Sequence, residues 1–518
     1  MENLMLISVI ISSSLLLWLA VKVFYSLWWK PKSLEKQLKQ QGIKGTSYKF
    51  WHGDLKDYGR MFNEVWSKPL NLTHSIVPYV IPFFNKIVQT HGKITLFWLG
   101  TTPTLMIKDP ELMKGVLSNK FGYFPKPPQN PHILLFTMGL STLERQKWVK
   151  HRTIINPAFH LEKLKGMMPA FSTSCSMLID KWEKLVSPEG SYEVDVWPDI
   201  QNFTSDVISR AAFGSNYEEG EKIFALQKEQ AILVLEAFRS VYIPGFRFLP
   251  TKKNKRRMNL DKEIKANLRV LIERKALALR NGESGDDDLL GMLLQSNNQN
   301  DLQAGYGPKL SGMTINEVIE ECKLFYFAGQ ETTSTWLTWT MIVLAMHPSW
   351  QEKAREEVLH ACGVNMPRFE NLNNLKIVTM VLYEVLRLYP PVIHQFRYTS
   401  TRINIGDISL PAGVQLILPT ILIHHDPEVW GDDAEEFKPE RFSEGISKAS
   451  KDQIAFIPFG WGPRICVGQN FAMIEARMAL AMILQRFTFH LSPSYAHAPY
   501  TVITLQPKHG AQIILHRL

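Results

Sequence analysis

Residues 459–468 read FGWGPRICVG, and this segment determines how the rest of the chain is interpreted. It holds one cysteine, Cys466, and ends where an amphipathic helical pattern begins at residues 469–487. A thiolate is stabilised by positive potential and N–H donors, and a helix N-terminus beside Arg464 offers both. The segment also contains the glycines Gly460, Gly462 and Gly468. Because glycine has no side chain, a large flat group can approach the backbone there.

A thiolate presented to a planar group is the arrangement of an axial haem ligand. Phe459 can shield the sulfur, and Arg464 can pair with a carboxylate. An inert cysteine in a glycine-rich turn, the plain alternative, does not account for the glycines and the arginine. Phe459, Gly462, Arg464, Cys466 and Gly468 match every fixed position of the haem-binding signature of the cytochrome P450 family, which this segment resembles. The resemblance implies a haem whose iron is ligated by Cys466.

A second pair of residues fits the same family. Trp148 and Arg152 stand four residues apart and so share one face of a helix. Taken alone, they are better explained as a packed tryptophan and a surface cation. Because they fit the family's Trp-x-x-x-Arg helix, the resemblance implies that both bind one haem carboxylate and that Arg397 contacts the other. Arg145 departs from the pattern, since glycine is expected there.

One long helix is predicted between a capping box, formed by Thr314 and Glu317, and Pro348. Its middle reads AGQETT at residues 328–333. Glycine costs about 1 kcal/mol in a helix interior, and an acid in an apolar helix needs a reason. A kinked helix with a solvent-facing glutamate is the plain alternative.

The family resemblance gives these residues roles. Ala328 and Gly329 open a groove over the iron, Thr332 steadies bound dioxygen, and Glu331 helps to deliver protons. These roles make Glu331 and Thr332 the predicted catalytic residues.

The substrate pocket is predicted from two further segments. By resemblance, Ile393 and His394 line it, although His394 is equally compatible with a loop histidine that has no role. Residues 500–505 and 510–515 alternate in hydrophobicity, which predicts a hairpin around residues 507–509. The first strand of that hairpin would carry Val502 and Ile503 to the pocket. Glu384 and Arg387, followed by PERF at residues 439–442, resemble the family's structural network beneath the haem.

The remaining pattern predicts a mainly α-helical chain with small β-sheets. Two strands, 94–99 and 104–107, surround a turn, and a helix starts at Asp109 and Pro110. Residues 281–312 are polar and predict a surface loop. Long helices are predicted near residues 160–186, 199–213, 221–241 and 258–280.

The N-terminus predicts a membrane anchor. Residues 4–29 are apolar apart from a few serines and Lys22, long enough to span a bilayer. A cleaved signal peptide is the weaker alternative, because basic residues follow the apolar run. The basic residues that follow the apolar run predict that the catalytic domain, residues 31–518, lies in the cytosol. Residues 1–30 are then the anchor in the endoplasmic reticulum, and a linker is predicted at Pro31, Gly42 and Gly45. The sequons at Asn71 and Asn202 should then stay unmodified.

Composition narrows the class of protein. The chain has 518 residues, and its four widely spaced cysteines form no disulfide framework. The net charge of +9 comes without a nucleic-acid motif, so no nucleic-acid partner is predicted. A solvated basic face explains most of the charge. A docking face for an acidic electron donor or for anionic lipid is the sharper alternative.

Together these features resemble a plant cytochrome P450 of the clan 72 type, the branch that oxidises triterpenoids, iridoids and gibberellins. The details of this likeness are QGIKG at 41–45, AGQETT, HHDPEVWG at 424–431 and the ending at 497–511. The resemblance implies a membrane-anchored monooxygenase that uses haem, O₂ and a hydrophobic small molecule. No dinucleotide fingerprint is present, so NADPH would act indirectly through an NADPH-cytochrome reductase. A haem-thiolate isomerase or dehydratase, and a haem-binding sensor, are the alternatives.

Overall fold

The structure is a computed structural model that describes residues 2–119, 122–136, 138–186, 190–238, 245–282, 288–296 and 312–518. Within these ranges the chain is mainly helical. The α-helices are α1 (Glu2–Phe24), α2 (Lys30–Lys39), α3 (Leu55–Trp66), α4 (Val77–Val80), α5 (Pro82–His91), α6 (Pro110–Ser118), α7 (Pro131–Leu134), α8 (Arg145–Ile155), α9 (Leu161–Gly166), α10 (Met168–Leu185), α11 (Val196–Phe213), α12 (Tyr217–Phe238), α13 (Lys252–Arg280), α14 (Leu289–Gln295), α15 (Ile315–Met346), α16 (Pro348–Cys362), α17 (Phe369–Asn374), α18 (Lys376–Leu388), α19 (Thr420–His424), α20 (Pro427–Trp430) and α21 (Gln469–Arg486).

The β-structure is small and mostly antiparallel. The strands are β1 (Lys44–Gly45), β2 (Ile94–Leu99), β3 (Thr102–Ile107), β4 (Ser191–Asp195), β5 (Gln395–Tyr398), β6 (Ile403–Ile405), β7 (Ile408–Leu410), β8 (Gln415–Leu418), β9 (Phe487–Leu491), β10 (Pro499–Thr501), β11 (Leu505–Pro507) and β12 (Gln512–Arg517). The largest sheet has the order β1-β2-β3-β8-β5, and the next has the order β4-β12-β9. The pairs β6-β7 and β10-β11 form separate ribbons.

Helix α15 lies at the centre of the fold, where it contacts α11, α13, α18 and α21. The predicted capping box is confirmed, because the Thr314 hydroxyl accepts the Glu317 N–H and the Glu317 carboxylate accepts the Thr314 N–H. The helix ends at Met346, directly before Pro348. Its C-terminal half is buried almost continuously from Thr333 to Ala345.

The predicted network of Glu384 and Arg387 is present at the base of α18. Both side chains are fully buried and joined by two hydrogen bonds of 2.8 and 2.7 Å. The Arg387 guanidinium also donates to the carbonyl oxygens of His424 and Ala434, and Arg441 lies 3.5 Å from the Glu384 carboxylate. This network therefore ties α18 to the segments that lead into the Cys466 loop.

The predicted C-terminal hairpin was wrong. Strand β10 pairs with β11, with Pro499 opposite Pro507, so the hairpin turns at residues 502–504 and not at 507–509. Strand β12 lies between β4 and β9 instead. The alternation near residues 510–515 reflects this central position, in which Ile513 and Leu515 are buried.

Two other expectations need correction. Within the predicted loop at 281–312, α14 forms because Leu289, Leu290 and Leu293 are buried in the core. Residues 283–287 and 297–311 lie outside the described residues. Pro31 is not in a linker but near the start of α2, directly after the π-helical turn Tyr25–Trp29, where it removes one backbone donor from the helical segment.

The N-terminal helix continues beyond the predicted boundary at residue 30. By length and composition the helical segment Asn3–Lys39 can span a membrane, and its most apolar part is not buried against the protein. The π-helical turn Tyr25–Trp29 joins α1 to α2. Leu34 and Leu38 of α2 are buried, so this helix links the apolar segment to the folded domain.

The entry to α8 is strained at the residue where the family pattern has glycine. Arg145 has a φ of +53°, in the left-handed region. This conformation costs a non-glycine residue roughly 1–2 kcal/mol.

We expect Arg145→Gly to raise the free energy of unfolding by about 0.5–1 kcal/mol, because glycine adopts a positive φ without this cost. Urea unfolding followed by tryptophan fluorescence measures the change. Gln146→Gly, at the next and equally exposed position, is the matched control and should lower the stability by a similar amount. An Arg145→Gly variant no more stable than the wild type would contradict the strain.

Candidate active site

The Cys466 loop is a tight turn packed against the end of α6. The Cys466 N–H donates to the Phe459 carbonyl oxygen at 2.9 Å, which closes the loop. Gly460 and Gly462 have φ values of +80° and +72°. A Cβ atom at Gly462 would lie 2.5 Å from the Leu117 carbonyl oxygen, so no other residue fits without moving the backbone.

The Cys466 thiol faces a cavity of about 350 Å³, referred to below as the first cavity. The middle of α15 forms the opposite wall through Ala328, Gly329 and Thr332, and Phe459 forms part of the side. The sulfur is surrounded by protein but remains accessible from the cavity. A ligand between the cysteine and α15 would contact both.

Burial raises the pKa of the Cys466 thiol, while the Gly468 N–H and the charge of Arg152 act in the opposite direction. The sequence analysis expected Arg464 to supply this positive charge. Arg464 instead pairs with Glu144 at 2.5 Å and donates to the Leu143 carbonyl oxygen. The protein alone therefore does not favour the thiolate, whereas a metal ion bound to the sulfur would.

Four cations cluster beside the first cavity, and only Glu144 is found among them as a counter-charge in the described part of the chain. They are Lys126, Arg152, Arg397 and Arg464. Arg152 donates to the Ile465 carbonyl oxygen at 2.8 Å, and the Arg464 guanidinium lies 4.2 Å from the centre of the Trp148 ring. This excess of positive charge fits a ligand that carries more than one carboxylate.

Two of these cations have lowered pKa values, because they are buried and lie close to other cations. Burial, with repulsion from Arg464, lowers the pKa of Arg397 to about 10. Burial, with repulsion from Arg397 and Arg464, lowers the pKa of Lys126 to about 7. A bound dianion would reverse both shifts, because it would favour the charged form of each side chain.

Lys126 was missed by the sequence analysis. It lies between Pro125 and Pro127 in a segment without helix or strand, so no periodicity identifies it. The flanking prolines are the one sequence signal, since they hold the lysine in an extended conformation.

These observations together fit a haem. Cys466 offers a single sulfur ligand, the cation cluster can hold two carboxylates, and the walls between them are largely apolar. Among the described residues, no three His, Cys, Asp or Glu side chains converge to hold a metal ion by themselves. An iron held by one cysteine and a planar macrocycle is consistent with this arrangement.

The middle of α15 forms the wall that faces the thiol. The Thr332 hydroxyl donates to the Ala328 carbonyl oxygen at 2.8 Å, one turn earlier. A Cβ atom at Gly329 would lie 2.7 Å from the Ile208 side chain, so this glycine also permits close packing of α11. Ala328, Gly329 and Thr332 thus lie together on the first cavity, as the family pattern implies.

Glu331 points elsewhere. It lines a second cavity of about 240 Å³ that also contacts α11, α12 and the turn of the β10-β11 hairpin. Its Oε1 atom accepts a hydrogen bond of 2.6 Å from Thr504 Oγ1 and another from Gln506 Nε2. Burial raises the pKa of Glu331, and these two hydrogen bonds oppose the rise. The structure therefore separates the two predicted catalytic side chains, Glu331 and Thr332, into different cavities.

The four residues predicted to contact substrate also lie in different parts of the structure. Val502 and Ile503 line the second cavity beside Glu331. Ile393 is buried, and the His394 ring lies 4.7 Å from Phe396, where burial lowers the His394 pKa to about 4. The neighbours of this pair, Val392 and Gln395, are the ones that line the first cavity. Contact of the four predicted residues with substrate stays a prediction.

Comparison with known proteins identifies the class. Residues 80–513 match the family model described as cytochrome P450, and the chain belongs to that family. It is 57% identical over 493 residues to cytochrome P450 CYP72A616 of Paris polyphylla, covering 95% of each chain. It is 49% identical over 509 residues to 7-deoxyloganic acid hydroxylase of Catharanthus roseus, covering 98% of this chain and 97% of the relative.

The fold is shared with a solved structure, retinoic acid-bound cyanobacterial CYP120A1. The TM-score is 0.75 at 23% identity, and the match covers 92% of this chain and 99% of that one. The predicted family branch, fold and enzyme class are confirmed. The protein is a monooxygenase of the cytochrome P450 family, whose cofactor is haem with a cysteine ligand and whose electrons come from a reductase.

We expect Lys126→Ala to release haem roughly 10- to 100-fold faster than the wild type, because it removes a charged partner for a haem carboxylate. Transfer of haem to an excess of an apoprotein acceptor measures the rate. Lys114→Ala, which removes an exposed lysine of α6, is the matched control and should leave the rate unchanged. Equal rates for the two variants would exclude Lys126 from the cofactor site.

Proposed function

We propose that the chain is a membrane-anchored haem-thiolate monooxygenase that hydroxylates or further oxidises a plant terpenoid-type substrate, such as a triterpenoid, an iridoid or a gibberellin-like acid. The observation that carries the proposal is the Cys466 thiol, which faces α15 across a cavity lined by three cations, with Arg397 close to two of them. The likeness to a relative named as a 7-deoxyloganic acid hydroxylase supports the substrate class.

Cys466 is the proposed iron ligand, with Phe459 beside its sulfur. Trp148, Arg152, Arg397 and Arg464 are proposed to hold the haem carboxylates together with Lys126. The excess positive charge of the four cations supports this role. When bound, the haem supplies the activation of O₂ for insertion of one oxygen atom into an unactivated C–H bond.

Side chains of the chain itself are proposed to contact the substrate and to transfer protons. Ala328 lines the first cavity, where it leaves room beside Thr332, whose hydroxyl can hydrogen-bond to an oxygen ligand. Glu331 is proposed as the carboxyl that passes protons towards Thr332, and the burial that raises its pKa supports this role. Ile393, His394, Val502 and Ile503 are proposed to contact substrate, and the apolar lining of the first cavity suits a hydrophobic molecule.

The proposed location is the endoplasmic reticulum membrane, with residues 1–30 as a single-pass anchor and residues 31–518 in the cytosol. The apolar segment Asn3–Lys39 supports the anchor. The proposed partner is an NADPH-cytochrome reductase, together with the lipid bilayer. Expression in microsomes tests the orientation, since the exposed Asn71 should gain no glycan in the proposed topology and would gain one in the reverse topology.

Two measurements on the purified protein test the function. The reduced protein with carbon monoxide should give the Soret band of a thiolate-ligated haem, and its absence would contradict Cys466 ligation. Turnover with a panel of triterpenoids, iridoids and gibberellins should then depend strictly on both NADPH and reductase. Product without either would indicate an isomerase or dehydratase, and binding without product from any panel member would indicate a sensor.

We expect Thr332→Ala to increase hydrogen peroxide release per NADPH oxidised about three- to tenfold, because the hydroxyl that steadies the oxygen ligand is lost. Peroxide and NADPH are measured together, with the panel compound that yields product. Thr332→Ser, which retains the hydroxyl, is the matched control and should stay near the wild-type ratio. An unchanged ratio in Thr332→Ala would remove Thr332 from the proposed mechanism.

A further inference from the structure

The carboxyl of Glu331 is held by the C-terminal hairpin β10-β11. Thr504 and Gln506 both donate to the same oxygen, Oε1 of Glu331, and Gln506 also lies 3.3 Å from the Thr504 hydroxyl. We call Glu331, Thr504 and Gln506 the hairpin clasp. Neither hairpin residue is ionisable, so the clasp orients the carboxyl without pairing it to a cation.

The hairpin is itself fixed to α15 and to the core. The Thr335 hydroxyl lies 3.2 Å from the Thr504 hydroxyl and donates to the Glu331 carbonyl oxygen at 2.8 Å. Trp339 Nε1 donates to the Leu505 carbonyl oxygen at 2.6 Å, and both of these residues are buried. The position of Thr504 relative to Glu331 is therefore set by backbone and side-chain bonds on both sides of the clasp.

The clasp turns Glu331 towards the second cavity, whose walls are polar enough to hold water. Its polar lining from α11 consists of Gln201, Asn202 and Ser205. From α12 it has Tyr217, Glu221 and Lys228, which are the other titratable groups among the described residues on its wall. Lys228 is exposed, so the cavity borders solvent on that side.

The adjacent residue, Thr332, faces the first cavity. Consecutive side chains on an α-helix point about 100° apart. A proton carried by Glu331 therefore starts on one face of α15 and is needed on another.

We propose that Thr504 and Gln506 are positioning residues that hold Glu331 in a proton-loading orientation towards the second cavity. There the carboxylate takes a proton from solvent water. When the clasp opens, the carboxyl turns towards Thr332 and gives that proton to the Thr332 hydroxyl oxygen, whose own proton moves on into the first cavity. The Glu331 carboxylate then returns to be protonated again. This inference rests on the proposed role of Glu331 as a proton carrier.

The structural arm of the test uses hydrogen–deuterium exchange of the holoenzyme, read in peptides that cover residues 499–507. Thr504→Val should exchange roughly 5- to 30-fold faster there, since bonds that hold the hairpin are lost. Glu331→Gln keeps a carbonyl acceptor and should exchange like the wild type. Thr501→Val is the matched control, because the buried Thr501 hydroxyl of the same hairpin has no hydrogen-bond partner in the described structure.

The functional arm uses NADPH, a plant reductase and O₂ alone, so no substrate need be known. NADPH oxidation is measured against pH, in H₂O and in D₂O. Thr504→Val and Gln506→Leu should lower the rate about three- to tenfold and increase the solvent isotope effect. Their pH profiles should shift to higher pH, because loss of bonds to the charged form raises the pKa of Glu331 further. Thr501→Val should match the wild type.

The outcomes separate the inference from the proposed function. Each variant must first give the thiolate-haem band with carbon monoxide, and Gln506→Leu serves if Thr504→Val fails to fold. If Glu331→Gln oxidises NADPH like the wild type, the proposed proton role of Glu331 fails, and the inference fails with it. If Glu331→Gln is slow while Thr504→Val and Gln506→Leu behave like Thr501→Val, the clasp is overturned and the proton role stands.

Discussion

The structure depends on keeping the Cys466 sulfur at a fixed distance from the middle of α15. Neither side of this gap is rigid by itself, because one is a glycine-rich turn and the other a helix with glycine at its centre. The turn is fixed by the Cys466 N–H bond to Phe459 and by the contact of Gly462 with Leu117. The helix is fixed by its capping box and by the burial of its C-terminal half. Both supports are contacts within the chain itself, and together they set the width of the cavity.

The balance of charge differs between the buried network that supports the fold and the cluster that lines the site. Glu384 and Arg387 form a buried pair with matched charges and several further hydrogen bonds, so removal of either partner would leave an uncompensated buried charge. The cluster near the first cavity is the opposite case, since four cations face one carboxylate there. Such an imbalance raises the free energy of the protein, and burial together with repulsion from Arg397 and Arg464 lowers the pKa of Lys126. Carboxylates of a ligand would relieve it, so this cluster indicates binding and the Glu384 network indicates structure.

Sequence reasoning predicted what local signals encode. The ends of α15 follow from a capping box and a proline, and the loop around Cys466 follows from a dense motif. It failed where the structure depends on contacts between residues that are distant in sequence. The alternation near residues 510–515 predicts a strand but not its partner, so the hairpin was assigned to the wrong turn. Lys126 was missed because its neighbours in space, Arg397 and Arg464, are far away in sequence.

The corrected hairpin changes how the site is interpreted. With the turn at residues 502–504, Thr504 and Gln506 reach the Glu331 carboxyl, which the predicted turn would not have required. These hydrogen bonds explain why the apolar helix carries a glutamate at this position. Neither a solvent-facing side chain nor a free proton donor would explain it. It is buried, bonded by neutral partners and directed away from the residue it is proposed to serve. Glu331 and Thr332 leave the helix in different directions. Proton transfer to Thr332 therefore requires the Glu331 side chain itself, or ordered water, to bridge the two cavities.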